Sequence, residues 1–257
     1  MITSTQNPKL KLVRALMGRP KERRDESAFV AEGVRLVEEA INTRWPLRFV
    51  LFDETLSERG KSNLESLKSR GVECEEISPN LMKSLSDTET SQGILAVLQL
   101  TNLPIPDSPT FILIPDQIRD PGNLGTLIRT ADAVGMDAVL IPPETTDPFA
   151  PKVVRAGMGA HFRLPIHATG WDEIRQVGKS ASLQVFLADM DGKPCWDVDL
   201  HPPLALIVGG EAEGASAEAR KLADEKISIP MAGKTESLNA AVAGSVLMFE
   251  VLRQRKA

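Results

Sequence analysis

The strongest constraint on this chain is an arrangement met again and again in its second half: a short apolar run, a glycine-bearing loop, then a segment of helical period. It is clearest where Phe111-Ile-Leu-Ile-Pro115, which reads as a buried strand, leads into Asp120-Pro-Gly-Asn-Leu-Gly-Thr-Leu-Ile-Arg-Thr-Ala-Asp-Ala-Val-Gly135. Asp120 or Asn123 can cap a helix there, and Pro121 suits a first helical position. Leu124, Leu127, Ile128, Ala131 and Val134 recur at helical spacing and give one apolar face. Arg129 stands off that face, about 100° round from Ile128. A strand, a Gly/Asn loop and a helix place polar groups at the carboxyl edge of a sheet, where open α/β folds bind ligands. The plain alternative is an ordinary strand, turn and helix with a solvated arginine.

The same alternation fills the rest of residues 110–257. Strands are expected at 111–115, 138–142, 163–167, 184–188, 204–208 and 226–230, and helices at 123–135, 149–158, 171–179, 216–223 and 238–255. That pattern predicts an α/β domain with a mostly parallel sheet and helices on both faces. Residues 1–100 alternate too: helix 7–17, strand 27–33, helix 34–42, strand 47–52, helix 61–70, strand 72–77, helix 80–86, strand 94–100. This is a smaller α/β domain. Between the two, Thr101-Asn-Leu-Pro-Ile-Pro-Asp-Ser-Pro-Thr110 carries three prolines in ten residues, so 101–109 is expected to be a linker. The last helix begins with Ala240, Ala241, Ala243 and Gly244. Small residues there allow close backbone approach, to the domain itself or to a second subunit.

With 257 residues, 42% of them hydrophobic and 25% charged, the chain has the composition of an ordinary globular protein. No apolar run approaches the length that crosses a bilayer. No apolar signal segment opens the chain, so a cytoplasmic location is expected. Two cysteines, Cys74 and Cys195, and three histidines, His161, His167 and His201, make no metal-ligand spacing, and no metal is expected. The net charge of −5 argues mildly against a nucleic-acid partner, but its distribution argues for one. Lys9, Lys11, Arg14, Arg19, Lys21, Arg23 and Arg24 crowd the opening, opposed there only by Glu22. A basic opening on an acidic chain is the asymmetry of a nucleic-acid-contacting arm, with a solvated helix face as the alternative.

Two later loops also follow strands. Gly209-Gly-Glu-Ala-Glu-Gly214 lacks the G-x-G-x-x-G spacing, and Glu211 and Glu213 would repel a pyrophosphate. An acidic glycine loop better suits a ligand with positive charge, such as S-adenosylmethionine; a tight exposed turn is the alternative. Ile229-Pro-Met-Ala-Gly-Lys-Thr-Glu-Ser-Leu-Asn239 ends like a phosphate-binding loop at Gly233-Lys234-Thr235, but Ser228 stands where the first glycine belongs and Pro230 interrupts it. Nucleoside triphosphate binding is therefore rejected. Ser237 is expected to cap the final helix, leaving backbone N–H groups and the Asn239 amide near its start.

Taken together, N-x-G-x-x-x-R at Asn123, Gly125 and Arg129, G-x-E-x-x-G at Gly209, Glu211 and Gly214, and I-P-M-x-G-x-x-x-S-L-N from Ile229 to Asn239 resemble the three motifs of the SpoU (TrmH-like) branch of the SPOUT RNA methyltransferases. Gln6-Asn-Pro-Lys-Leu-Lys and Phe29-Val-Ala-Glu-Gly33 resemble the ribosomal-protein-like substrate-binding extension of some members. The resemblance implies a deep trefoil knot near the C-terminus, an exception to unknotted chains, and a homodimer paired through it. It implies methyl transfer from S-adenosylmethionine to a ribose 2′-hydroxyl, with ribosomal RNA ahead of transfer RNA as substrate. Gly209, Ile229, Met231 and Leu238 are the implied cofactor contacts. Arg129 is the implied catalytic residue, in a site completed across the dimer, with Asn123, Glu211, Ser237 and Asn239 orienting it and the hydroxyl. Lys9, Lys11, Arg14, Arg23 and Arg24 are the expected RNA contacts. The second motif departs from the family's Gly-Asn-Glu-Gly: Gly210 replaces the Asn and Ala212 the last Gly. A catalytically weak RNA-binding protein of the same fold, and more distantly a nicotinamide-dependent oxidoreductase, are the competing readings.

Overall fold

The computed structural model describes residues 2–88, 90–211, 214–234 and 237–256; Ala212 and Glu213 of the second loop and Thr235 of the rejected phosphate-loop match lie outside them. The chain forms α1 (Pro8–Gly18), α2 (Pro20–Asp25), β1 (Ala28–Glu32), α3 (Val34–Asn42), β2 (Leu47–Phe52), α4 (Glu58–Ser69), β3 (Glu73–Glu76), α5 (Pro79–Leu85) and β4 (Ile94–Gln99). It continues as β5 (Phe111–Asp116), α6 (Pro121–Val134), β6 (Ala138–Ile141), α7 (Pro151–Gly157), β7 (Ile166–Ala168), α8 (Trp171–Ser180), β8 (Gln184–Pro194), β9 (Leu204–Gly209), α9 (Ala217–Leu222), β10 (Glu225–Ser228) and α10 (Ala240–Lys256). Two compact units result: residues 1–101 with 149–162, and residues 102–148 with 163–257.

The first unit is built on a four-stranded sheet in the order β1-β4-β2-β3, with β2 and β3 parallel and the other pairs antiparallel. Asn7 accepts the Lys9 N–H and caps α1, and Pro8 fills its first position. Leu10, Val13 and Leu16 then fall on one face, fully buried against Val30, Phe49 and Leu51 of the sheet. The opposite side of β1 carries Phe29, whose ring lies 5.1 Å from Phe149 and 6.3 Å from Phe162. The segment 149–162 thus supplies aromatic rings to the core of the first unit, although in sequence it stands between strands of the second.

The second unit holds a six-stranded sheet in the order β10-β8-β9-β5-β6-β7, with every neighbouring pair parallel. β5, β6 and the start of β9 are buried along their length, as strands covered on both faces must be. Along β5 and β9, Asp116 pairs with Gly209; along β8 and β9, Ala188 pairs with Val208. The loops after β5 and β9 therefore leave the sheet side by side, next to the part of β8 that follows Ala188. Asp120, rather than Asn123, caps α6 by accepting the Asn123 N–H at 2.8 Å. In α10 a Cβ at Gly244 would press on Leu127 and Val208. Gly244 thus lets the helix lie against α6 and β9 of its own unit.

Candidate active site

Three side chains from three loops meet above the sheet edge. Asn123, on the first turn of α6, donates through Nδ2 to Glu211 Oε1 at 2.9 Å. Asn239 donates through Nδ2 to the same oxygen and to Asn123 Oδ1, the latter at 3.1 Å. The Ala240 N–H adds a further bond to Glu211 Oε1 at 3.2 Å. Asn239 Oδ1 meanwhile accepts the Ala241 and Val242 N–H groups at 3.0 and 3.2 Å. Asn239 is thus the cap of α10, correcting the expectation for Ser237: the helix starts at Ala240, so the capping position is residue 239. Among the described residues every hydrogen bond to Glu211 falls on Oε1, and its Oε2 takes none.

Two cavities share this junction. One, of about 230 Å³, is lined by Gln117, Ile118, Arg119, Asp120, Asn123, Gly210, Glu211 and Ala240. The other, of about 1060 Å³, takes in Gly209, Ile229, Met231, Leu238, Glu211, Ser237 and Asn239. Four expected cofactor contacts and three expected catalytic residues therefore stand on one wall. Asp189, Met190 and Arg220 line the same cavity and escaped sequence reasoning. Asp189 directly follows the apolar part of β8, a signal that could have marked it; Arg220, one of three charged residues on a short helix, offered none. Asp116 is fully buried below; its Oδ2 accepts the Ser216 N–H at 2.6 Å while Oδ1 has no partner. Burial pushes its carboxyl above the usual range, against the pull of Ser216.

The loops that form this junction lie within a region that matches a known family. A model of the SpoU rRNA methylase family matches residues 110–249, and one of an MRM3-like substrate binding domain matches 7–96. The chain belongs to the SpoU rRNA methylase family. Among its relatives, the 23S rRNA (guanosine(2553)-2′-O)-methyltransferase RlmP of Bacillus subtilis (strain 168) is 35% identical over 252 residues, covering 97% of this chain and 98% of its own. A 23S rRNA (uridine(2479)-2′-O)-methyltransferase of Streptomyces viridochromogenes is 30% identical, covering 98% and 92%. The crystal structure of an AdoMet-bound rRNA methyltransferase from Sinorhizobium meliloti matches with a TM-score of 0.85 at 30% identity, over 98% of this chain and 97% of that one.

Within this SpoU chain, Gly210 of the altered second motif is closely packed. Gln117 is held at φ +53°, and a Cβ at position 210 would collide with its carbonyl oxygen. A side chain there, asparagine included, requires the backbone around Gln117 to shift. Arg129 is exposed, lines neither cavity, and makes no hydrogen bond or ion pair among the described residues. In the basic opening the structure divides the five expected RNA contacts. Arg23 is 3% exposed and donates to the Leu16 carbonyl. Lys9 is paired with Glu73 and Glu75 and lies over the Phe49 ring. Both are therefore corrected to parts of the fold: one is buried, and the charge of the other is answered within the protein. Lys11, Arg14 and Arg24 remain exposed, Arg14 giving Nη1 to the Thr5 carbonyl at 3.0 Å. Among the described residues there is no cluster of His, Cys, Asp and Glu that could hold a metal and no helix long and apolar enough to cross a membrane.

Proposed function

We propose that this chain methylates a ribose 2′-hydroxyl of ribosomal RNA, using S-adenosylmethionine as donor. The observation that carries the reading is that Glu211 lines both cavities, a large one for the donor and a small one for the acceptor. The large cavity fits a cationic donor chemically, because Asp189 and Glu211 supply two carboxylates and Ile229, Leu238 and Leu247 an apolar wall. When bound, S-adenosylmethionine supplies an electrophilic methyl group. The task left to the protein is alignment, a source of up to roughly 7–11 kcal/mol in favourable cases. Asn123 and Asn239 fix Glu211 through Oε1, leaving Oε2 to accept a hydrogen bond from the ribose hydroxyl. In this reading Ser237, which lines the large cavity, orients the same group. Relatives named as rRNA 2′-O-methyltransferases support ribosomal RNA as the substrate class.

Arg129 enters this scheme from a second subunit. Val242, Val246 and Phe249 form an exposed apolar stripe on α10, 48%, 41% and 51% accessible. Burying that stripe against its copy gives the homodimer, in which Arg129 of one protomer serves the cavities of the other. Its guanidinium holds the RNA phosphate and stabilises the developing oxyanion through its planar fork of donors. The family's knot around the donor loops belongs to this proposal, as does an RNA-binding role for residues 1–100, joined by the linker 101–109. The test is incubation of the protein with S-adenosylmethionine carrying a tritiated methyl group and ribosomal RNA from cells lacking it. Label in dinucleotides that resist alkaline hydrolysis is the expected result, because a 2′-O-methyl group blocks cleavage. Label recovered in free bases, or none in RNA, would overturn it.

A further inference from the structure

The large cavity is also lined by a charged pair that belongs to none of the three motifs. Arg220, on α9, donates through Nε to the Ala215 carbonyl at 3.2 Å and through Nη1 to Asp189 Oδ2 at 3.2 Å. Lys226 of β10 meets the same carboxylate oxygen at 2.9 Å, and Asp189 Oδ1 accepts the Asp191 N–H at 3.1 Å. Asp189 is therefore held ionised, its carboxyl lowered against the cost of burial by Lys226, the Asp191 N–H and Arg220. Each member keeps unused bonding capacity: among the described residues Arg220 Nη2 has no hydrogen-bond partner, and Asp189 Oδ1 accepts a single bond. Among the described residues lining this cavity, Arg220 is the one cation and Asp189 and Glu211 are the carboxylates.

We infer that Arg220 and Asp189 form the anchor for the amino-acid end of the cofactor, Arg220 taking its carboxylate and Asp189 its ammonium. The inference rests on the donor assigned above and adds to it the residues that read its zwitterion. The argument is charge matching. S-adenosylmethionine carries one anionic group, and a ligand carboxylate leaves water most easily for a guanidinium nitrogen already oriented by two other bonds. Those two bonds, to the loop after β9 and to the middle of β8, fix the guanidinium plane before any ligand arrives. The ammonium then lies against the carboxylate that closes the pair. With the charged pair so occupied, Glu211 and Asn239 on the shared wall are left to the reacting group.

Binding, without RNA, decides the matter. Calorimetric titration of the full-length protein with S-adenosylmethionine, its decarboxylated analogue and 5′-methylthioadenosine separates the carboxylate from the rest of the ligand. The wild-type protein is expected to bind S-adenosylmethionine about ten- to a hundredfold more tightly than the decarboxylated analogue, the scale of a hydrogen bond to a charged group. Arg220→Ala should abolish that preference and leave 5′-methylthioadenosine within about twofold of wild type. Arg220→Lys, which keeps the charge but not the fork, should restore part of it. Equal loss for all three ligands in Arg220→Ala would overturn the assignment, making Arg220 only a brace for the loop. So would a wild-type protein indifferent to the carboxylate. A protein that binds none of the three contradicts the donor itself, a separate failure from that of the anchor.

Discussion

Glu32 of the first unit and Glu211 of the second are both glutamates that end a strand or follow one, and their surroundings could hardly differ more. Glu32 is 8% exposed and accepts from Ser86 Oγ, from Thr88 Oγ1 at 2.8 Å and from the Asp87 N–H at 3.2 Å, with Arg155 at 3.6 Å. Both its oxygens are engaged. Glu211 is exposed, collects all its bonds on Oε1, and stands between two cavities. The same contrast runs through the arginines, with Arg23 buried on a main-chain carbonyl and Arg129 exposed with no partner among the described residues. A polar group whose valences are filled inside the fold holds the fold together. One that is positioned yet unfilled is ready for a ligand.

The largest effect expected from this distinction is at Arg129. Arg129→Ala should cut single-turnover methyl transfer by about two orders of magnitude or more, the scale of losing one preorganised donor. Melting temperature and S-adenosylmethionine affinity should stay near wild type. Arg129→Lys should recover little, because an ammonium lacks the two-pronged contact with phosphate. Turnover that falls only in step with melting temperature would class Arg129 with the structural set.

Gly210 sharpens the comparison from the side of packing. Gly210→Asn, which restores the usual family residue, should destabilise by about 1–3 kcal/mol because the Gln117 carbonyl blocks its Cβ. Thermal unfolding of this variant at or above the wild-type midpoint would show that the loop yields.

Asp116 is the exception within the second unit, buried yet left with a free oxygen. Because burial raises its pKa in the folded state, this group favours folding most below its unfolded pKa and loses that contribution as pH rises through the folded value. Asp116→Asn keeps an acceptor for the Ser216 N–H and removes the ionisation. The difference in melting temperature, variant minus wild type, should therefore be more positive at neutral pH and shrink as pH falls through the folded pKa. A difference that grows toward acid would reverse the sign.

The smallest effect belongs to the basic opening. Replacing Lys11, Arg14 and Arg24 together with alanine should flatten the dependence of log affinity for RNA on log salt by about two, at roughly 0.7 per lost phosphate contact. Lys9→Ala and Arg23→Ala should instead lower the melting temperature. Identical salt slopes for the triple variant and wild type would make the whole opening structural.

Much of this was legible beforehand because apolar periodicity survives folding unchanged. α3 and β2 fall at the predicted residues, and all six strands of the second sheet form, although β7 starts three residues later than expected and β8 runs six residues further. The meeting of Asn123, Glu211 and Asn239 followed from motif order once three loops were seen to leave strands at one edge. What stayed hidden has physical reasons. α2 is six residues of almost entirely polar sequence starting at proline, with no apolar face to betray it. The attachment of 149–162 to the first unit depends on Phe29 and Trp45 far away in sequence. Burial of Arg23 and pairing of Lys9 across 64 and 66 residues could not be read from a run of charges. Nor could the pressure of the Gln117 carbonyl on Gly210, which has no signature beyond the glycine itself.

The most direct test of the contrast is a paired measurement on Glu32→Gln and Glu211→Gln, scoring melting temperature and single-turnover methyl transfer in the same preparations. Glu32→Gln should lower the melting temperature by roughly 4–8 °C, corresponding to about 2 kcal/mol, and leave the rate per folded molecule near wild type. Glu211→Gln should leave the melting temperature within about 1 °C and slow methyl transfer at least tenfold, since an amide cannot fill the carboxylate's place beside the acceptor. If Glu211→Gln transfers methyl groups at the wild-type rate while its melting temperature falls, the network it belongs to is structural and the site lies elsewhere.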